Sequence, residues 1–247
     1  MQTSPLPSEI RNKAKMYRLG TPYAQFEVLV TNQKQHLPSI IYPCADGLIC
    51  KNVKIQDMQV IYWDRIDELY IESWREGEES LENGFYSTWF RCKFSLHCVD
   101  KTIFNFVGTS EIMVLRHIIE KAVITHHLSS VTTSYNAGKA ITFGQLTISQ
   151  NGVSNGEYTF TWDKILCIDF EGTFIRVRGY QWDIAFEVLA ATTPNICVLE
   201  ALVRHLQRQG KIAISSCMYL SPTQKFFIRK ARRLSRLSNL IILMLNL

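Results

Sequence analysis

Apolar and polar residues alternate with a period of two along much of this chain. From Arg91 to Cys98, the side chains of Cys92, Phe94, Leu96 and Cys98 fall on one face and those of Arg91, Lys93, Ser95 and His97 on the other. That is the pattern of an antiparallel strand buried on one side. Ile40-Ile41-Tyr42 and Leu48-Ile49-Cys50 flank an Asp46-Gly47 turn signal, and Val99 to Thr102 turns the chain into a strand over Ile103–Val107. Further on, Leu166, Ile168 and Phe170 alternate inward and Glu171-Gly172 turns. Phe174–Val177 then returns, Gly179-Tyr180-Gln181 turns again, and Ile184, Phe186 and Val188 alternate once more.

Helical periodicity is rarer. Ser8 can cap a short helix through Leu19, stopped by Gly20. A longer helix is predicted after Ser110, with Ile112, Leu115, Ile119 and Val123 on one stripe and Glu111, Arg116 and Glu120 off it, closing near Leu128. Ser, Thr and Asn then dominate Ser129 to Asn136, which reads as a linker. The last helix is predicted over Pro194–Gln209, with Ile196, Leu199, Leu202 or Val203, and Leu206 as its stripe and Gly210 as its stop.

The chain repeats itself. Gly47-Leu48 leads to Val60-Ile61-Tyr62-Trp63-Asp64-Arg65-Ile66, then strands, then a helix; Asn151-Gly152-Val153 leads to Tyr158 and on to Trp162-Asp163-Lys164-Ile165, again followed by strands and a helix. The shared core is apolar-x-Trp-Asp-basic-Ile. The fold class is therefore α+β and mainly β: two tandem barrels or curved antiparallel sheets, each closed by a C-terminal amphipathic helix. The expected divisions are an N-terminal helix-and-strand segment over 1–37, a first repeat over 38–130, a second over 138–210, and a basic amphipathic helical tail over 217–247.

The Gly-Leu turn, the Trp-Asp-x-Ile strand and the helix behind a meander resemble bacterial pleckstrin-homology-like (PH-like) domains. The whole arrangement is similar to a family of uncharacterised bacterial proteins with two such repeats. The residues that carry the likeness are Leu19-Gly20-Thr21-Pro22, Asp46-Gly47-Leu48, Trp63 to Ile66, Phe143-Gly144-x-Leu146, Trp162 to Ile165, and Asn195 with Leu199 and Leu202, over about residues 19–210. Relatives of this kind often carry transmembrane helices ahead of the first repeat. Here Phe26 to Pro38 holds Gln33, Lys34, Gln35 and His36 instead. The resemblance implies a fold and no reaction.

Charge changes the picture at one end only. The chain has 247 residues with Lys+Arg 27 and Asp+Glu 22, for a net charge of +5. Cys217 to Leu247 contains no acid and six cations, namely Lys225, Arg229, Lys230, Arg232, Arg233 and Arg236, leaving 21 cations against all 22 acids elsewhere. A near-neutral body lacks the basic face of a nucleic-acid-binding domain, so no nucleic-acid partner is expected. If Pro222 opens a helix, the cations gather on one side, with Phe227, Ala231, Leu234 and Leu237 opposite. Such a helix can lie in an anionic membrane interface, or dock its apolar stripe on protein. The contact residues expected there are Lys225, Phe227, Arg229, Lys230, Arg232, Arg233, Leu234 and Arg236. The start, Met1 to Ile10, has two prolines and a glutamate where a signal peptide needs cations and an apolar run. The expected location is cytoplasmic, peripheral at the inner face of the membrane.

Candidate chemistry is sparse. Trp63 and Trp162 read as core, with Asp64 and Asp163 as strand-edge carboxylates accepting backbone hydrogen bonds; the competing reading pairs the two aspartates for acid–base work. The seven cysteines form no C-x-x-C pair and read as reduced, mostly buried thiols, and the six histidines lack the spacing of a zinc site. His126 and His127 would suit a helix C-terminus. Neither a G-x-S-x-G elbow nor a phosphate-binding loop occurs, and no cofactor or metal is expected. Glu72 to Gly84, with five glutamates, reads as a solvated loop, or as an acidic surface for a basic partner such as the chain's own tail. Lys51 and Lys54 are the nearest equivalents of phosphoinositide-gripping residues, and the second repeat offers none, so specific phosphoinositide binding is not expected. These features lead to a non-enzymatic scaffold or interaction module attached reversibly to a membrane or partner by its tail. The alternative is an enzyme or small-ligand binder with a pocket between the two barrels.

Overall fold

The computed structural model describes residues 6–32, 35–79, 86–108, 112–170, 173–179 and 184–212. The basic segment with Lys225, Phe227, Arg229, Lys230, Arg232, Arg233, Leu234 and Arg236 lies outside the described residues.

Two meanders of four and three strands build the first half. They are β1 (Phe26–Asn32), β2 (Gln35–Pro43), β3 (Gly47–Asn52) and β4 (Met58–Tyr62), then β5 (Ile66–Glu79), β6 (Tyr86–Cys98) and β7 (Ile103–Gly108). β1 pairs with both β2 and β7, which fuses the two meanders into one curled antiparallel sheet of order β4-β3-β2-β1-β7-β6-β5. The division expected between residues 37 and 38 therefore falls inside β2, and the strand of the supposed N-terminal segment is the joining strand of the sheet.

The second half repeats the order with shorter strands. β8 (Ile141–Phe143), β9 (Leu146–Ser149), β10 (Gly152–Ser154) and β11 (Thr159–Thr161) form one antiparallel sheet, and β12 (Ile165–Asp169), β13 (Phe174–Gly179) and β14 (Ile184–Leu189) another. Here the two meanders stay separate sheets. A β-bulge between Ile165 and Cys167 shifts the alternation by one, so Cys167 is buried and Leu166 only half-buried, contrary to the inward Leu166 that strict alternation predicts.

Each half closes on a helix, α2 (Ile112–Asn136) in the first and α3 (Ile196–Arg208) in the second. The predicted stripes are buried at Ile112, Leu115, Ile119 and Val123 on α2 and at Leu199, Leu202, Val203 and Leu206 on α3, whereas Ile196, also expected in the α3 stripe, is only half-buried. α2 does not close at Leu128 but runs through the supposed linker to Asn136. Buried Tyr135 ties its last turn to the core, and the Gln150 side-chain amide donates to the carbonyls of Tyr135 and Asn136. These contacts satisfy two of the carbonyls a helix end leaves open. His126 and His127 thus sit within the helix rather than at its end, and His127 Nε2 donates to the Ile66 carbonyl at 2.8 Å.

The first helix, α1 (Ser8–Met16), is shorter than predicted, and Pro7 rather than Ser8 is its N-cap. Ile10 and Ala14 on α1 pack with Leu19, Tyr42, Cys44 and Ile49. That covers the sheet face opposite the main core, which explains why consecutive residues Leu48, Ile49 and Cys50 are all buried. Lys51 makes an ion pair with Glu9 of α1. The glutamate-rich segment also departs from expectation, since 72–79 belongs to β5, paired in register with β6 back to Tyr86. Tyr86 to Phe90 is rich in the aromatic and β-branched residues that favour strands, and its backbone supplies the ladder.

Candidate functional site

The repeated Trp-Asp pair comes first, because its geometry recurs in detail. Trp63 and Trp162 each open a single 3-10 turn, Trp63–Arg65 and Trp162–Lys164. The Trp63 amide donates to the Asp46 carbonyl at 3.2 Å and its indole Nε1 to the Cys44 carbonyl at 3.2 Å. The Trp162 amide donates to Asn151 at 3.3 Å and its Nε1 to Ser149 at 2.9 Å. Counted from the glycine of each hairpin, Gly47 and Gly152, the two acceptors are the same positions, and each glycine faces the residue just before the tryptophan. A Cβ on Gly47 would overlap the Ile61 carbonyl, and one on Gly152 the Phe160 carbonyl. Both indoles are buried. Asp64 and Asp163 are exposed, and among the described residues neither carboxylate accepts a backbone hydrogen bond, unlike the expected strand-edge role. This repeat unit is a folding device.

Chemistry gathers at a place that the sequence pattern does not single out. Beside its core stripe, α2 carries Arg116, Glu120, Ile124 and Leu128 at intervals of four, and α3 carries Cys197, Ala201 and Arg204. The two helices pack along one another, and these second stripes line a cleft of about 420 Å³ between them. β5 contributes Ile71 and Glu72, and the second half adds Phe170 and Ala190.

Two ion pairs stand in the cleft. Arg116 Nη2 lies 2.9 Å from Glu120 Oε1, and its Nε donates to the same oxygen at 2.9 Å. Arg204 Nη2 meets Glu200 Oε1 at 2.5 Å. Arg116 is only 6% exposed, although its position off the apolar stripe predicts a wet side chain. Burial works to lower its pKa, but Glu120 and Cys92 outweigh that and raise it, so the guanidinium stays charged. Its Nη1 is buried without a hydrogen-bond partner, and the nearby Cys92 sulfur is at best a weak acceptor. Burial also pushes the thiols of Cys92 and Cys197 up, which keeps both protonated and poor nucleophiles. His117 is largely exposed, with Nδ1 4.0 Å from Glu120 Oε2. The arrangement offers fixed charges and apolar walls, which suit binding.

Residues 21–211 match a family of unknown function, DUF6585. The chain belongs to that family. The matched span starts after α1 and ends after α3, so in this DUF6585 member it takes in both repeats and the cleft between their helices. No curated protein matches the chain. Among solved structures, the C-terminal domain of an unknown protein from Leishmania infantum is similar at 7% identity, over 46% of this chain and 94% of that one, with a TM-score of 0.32. Among the described residues, no helix is long and apolar enough to cross a membrane.

Proposed function

We propose that this chain is a non-enzymatic binding module made of two PH-like units, which takes its ligand in the cleft between α2 and α3. Each half runs four antiparallel strands, a Trp-Asp 3-10 turn, three strands and a helix, an order that supports the PH-like reading. The observation that carries the functional reading is the cleft itself: about 420 Å³ at the junction of the halves, within the range of small-molecule sites, with apolar walls and two fixed ion pairs. An enzyme using Asp64 or Asp163 has less support, because both are exposed and among the described residues neither is bonded to a histidine.

Filling the cleft tests this reading. Ala201 is half-buried on its wall, so Ala201→Trp should abolish uptake of a neutral apolar dye such as Nile red while the protein still unfolds at its usual temperature. Undiminished dye binding by a well-folded variant would refute the assignment.

A second reading, attachment to an anionic membrane or an acidic partner through Lys225 to Arg236, is favoured by the six cations and absence of acids in 217–247. It is compatible with the first.

A further inference from the structure

Every acid lining the cleft is already matched. Glu120 pairs with Arg116, Glu200 with Arg204, and Glu72 with Lys93 at 3.6 Å. The lining also contains Lys121 on α2 and Arg208 at the end of α3, both exposed, and among the described residues neither has an ion-pair partner. The cleft thus carries an excess of positive charge from two helices that the fold itself brings together. Deeper in, the enclosed Arg116 Nη1 has only the weakly accepting Cys92 sulfur beside it. Ile71, Ile124, Leu128, Phe170 and Ile196 supply apolar wall around these charges.

Resting on the binding-module reading above, we infer that the cleft takes a small organic anion, a carboxylate or phosphate monoester carried on an apolar body. The anion compensates Lys121 and Arg208, while the body lies on the apolar walls. A neutral ligand of the same shape leaves the charge excess standing, and a cation adds to it. Glu120 and Glu200 keep the arginines extended along the helices, each by a pair four residues apart.

The test is displacement of Nile red from the full-length protein by four probes of one chain length: octanoate, octyl phosphate, octylammonium and 1-octanol. The two anions should displace the dye at concentrations at least about tenfold below the other two. Comparing octanoate with octyl phosphate then tells a carboxylate ligand from a phosphate one. Lys121→Gln with Arg208→Gln changes two exposed side chains and should leave folding intact. It should weaken both anions at least about tenfold while leaving 1-octanol unchanged. Equal displacement by 1-octanol, or anion binding untouched by the double substitution, overturns the inference while dye uptake blocked by Ala201→Trp keeps the binding-module reading alive. Dye uptake indifferent to Ala201→Trp overturns both.

Discussion

Asn195 and Leu69 exchange two hydrogen bonds across 126 positions of the chain: the Asn195 amide donates to the Leu69 carbonyl at 2.9 Å, and the Leu69 amide donates to Asn195 Oδ1 at 2.9 Å. Asn195 Nδ2 adds a third bond, to the Asp67 carbonyl at 2.8 Å. One residue thereby fastens the start of α3 to the outer edge of β5, supplying the groups that an edge strand otherwise leaves open. Asn195 also holds a φ of 53°, a conformation that asparagine tolerates and alanine does not. Asn195→Gly should cost about 1–3 kcal/mol through the lost side-chain bonds, and Asn195→Ala about 1–2 kcal/mol more through backbone strain. Urea unfolding should give that order, the reverse of the usual advantage of alanine over glycine. Equal stability of the two variants would show that the backbone conformation is not enforced.

The two tryptophans are the next test. Each fills the core and donates its indole N–H to a carbonyl at the second hairpin of its own half, so truncation removes packing and a hydrogen bond together. Trp63→Ala and Trp162→Ala should each lose about 3–5 kcal/mol. Trp→Phe at either site keeps most of the volume but strands the acceptor, and should lose about 1–3 kcal/mol. Thermal unfolding of Trp63→Ala close to wild type would contradict its burial.

Gly47 and Gly152 set the same limit in both repeats, since a side chain at either would run into the backbone of the facing strand. Gly47→Ala and Gly152→Ala should therefore destabilise strongly, whereas Gly138→Ala should not fail by clash, because nothing lies within 4 Å of a Cβ there. Soluble yield and Tm of the three variants check this. Gly138 does hold a φ of 80°, so a modest loss from strain is expected even at that site.

Much of this was legible in the sequence, and the misses share a cause. The Trp-Asp-basic-Ile repeat and the alternation of Cys92, Phe94, Leu96 and Cys98 show because local periodicity encodes which face is buried. Arg116 and Glu120 read as solvated by the same logic, since nothing near them in the chain buries them. What surrounds them lies on other elements, Cys92 of β6 beside Arg116 and α3 more than 70 positions later, so burial there is a tertiary fact. Ser129 to Asn136 reads as linker because Ser, Thr and Asn are poor helix formers, yet buried Tyr135 and the Gln150 caps outweigh that weak preference. A signal was nonetheless present: Arg116, Glu120, Ile124 and Leu128 keep a spacing of four, a second stripe that a helix with two partners would need.

The buried thiols give a pH dependence. Cys44, Cys50 and Cys98 are each pushed up to about 11, chiefly by burial. Below pH 9 the thiols hold their protons in both folded and unfolded chains, and the stability of burial is fully present. From pH 9 to 11 only the unfolded chain releases them, so stability should fall across that window, by up to about 2–3 kcal/mol for a thiol as enclosed as Cys50. Urea midpoints at pH 8 and pH 10.5 measure the loss, and Cys50→Ser should reduce it. At pH 8 a thiol-titrating disulfide reagent should leave Cys44, Cys50, Cys92, Cys98, Cys167 and Cys197 unmodified in the native protein and react with them in denaturant.

The basic segment can be tested without disturbing the body. If Lys225 to Arg236 acts electrostatically, the protein should sediment with vesicles rich in anionic lipid and much less with neutral ones. It should be released as salt shortens the Debye length from about 10 Å at 0.1 M to about 3 Å at 1 M. Replacing Arg229, Arg232, Arg233 and Arg236 with Gln should abolish sedimentation and leave the Tm unchanged. Phe227→Ser with Leu234→Ser should weaken it by removing shallow apolar insertion. A shortened chain offers an independent check, and it should end no earlier than Ile212, which is 3% exposed and belongs to the main core; stopping at Gly210 would confuse lost binding with lost packing. An arginine-to-glutamine variant that binds anionic vesicles as wild type does would sink the membrane reading. Loss of stability in the Phe227 and Leu234 variant would mean instead that this stripe packs against the rest of the chain.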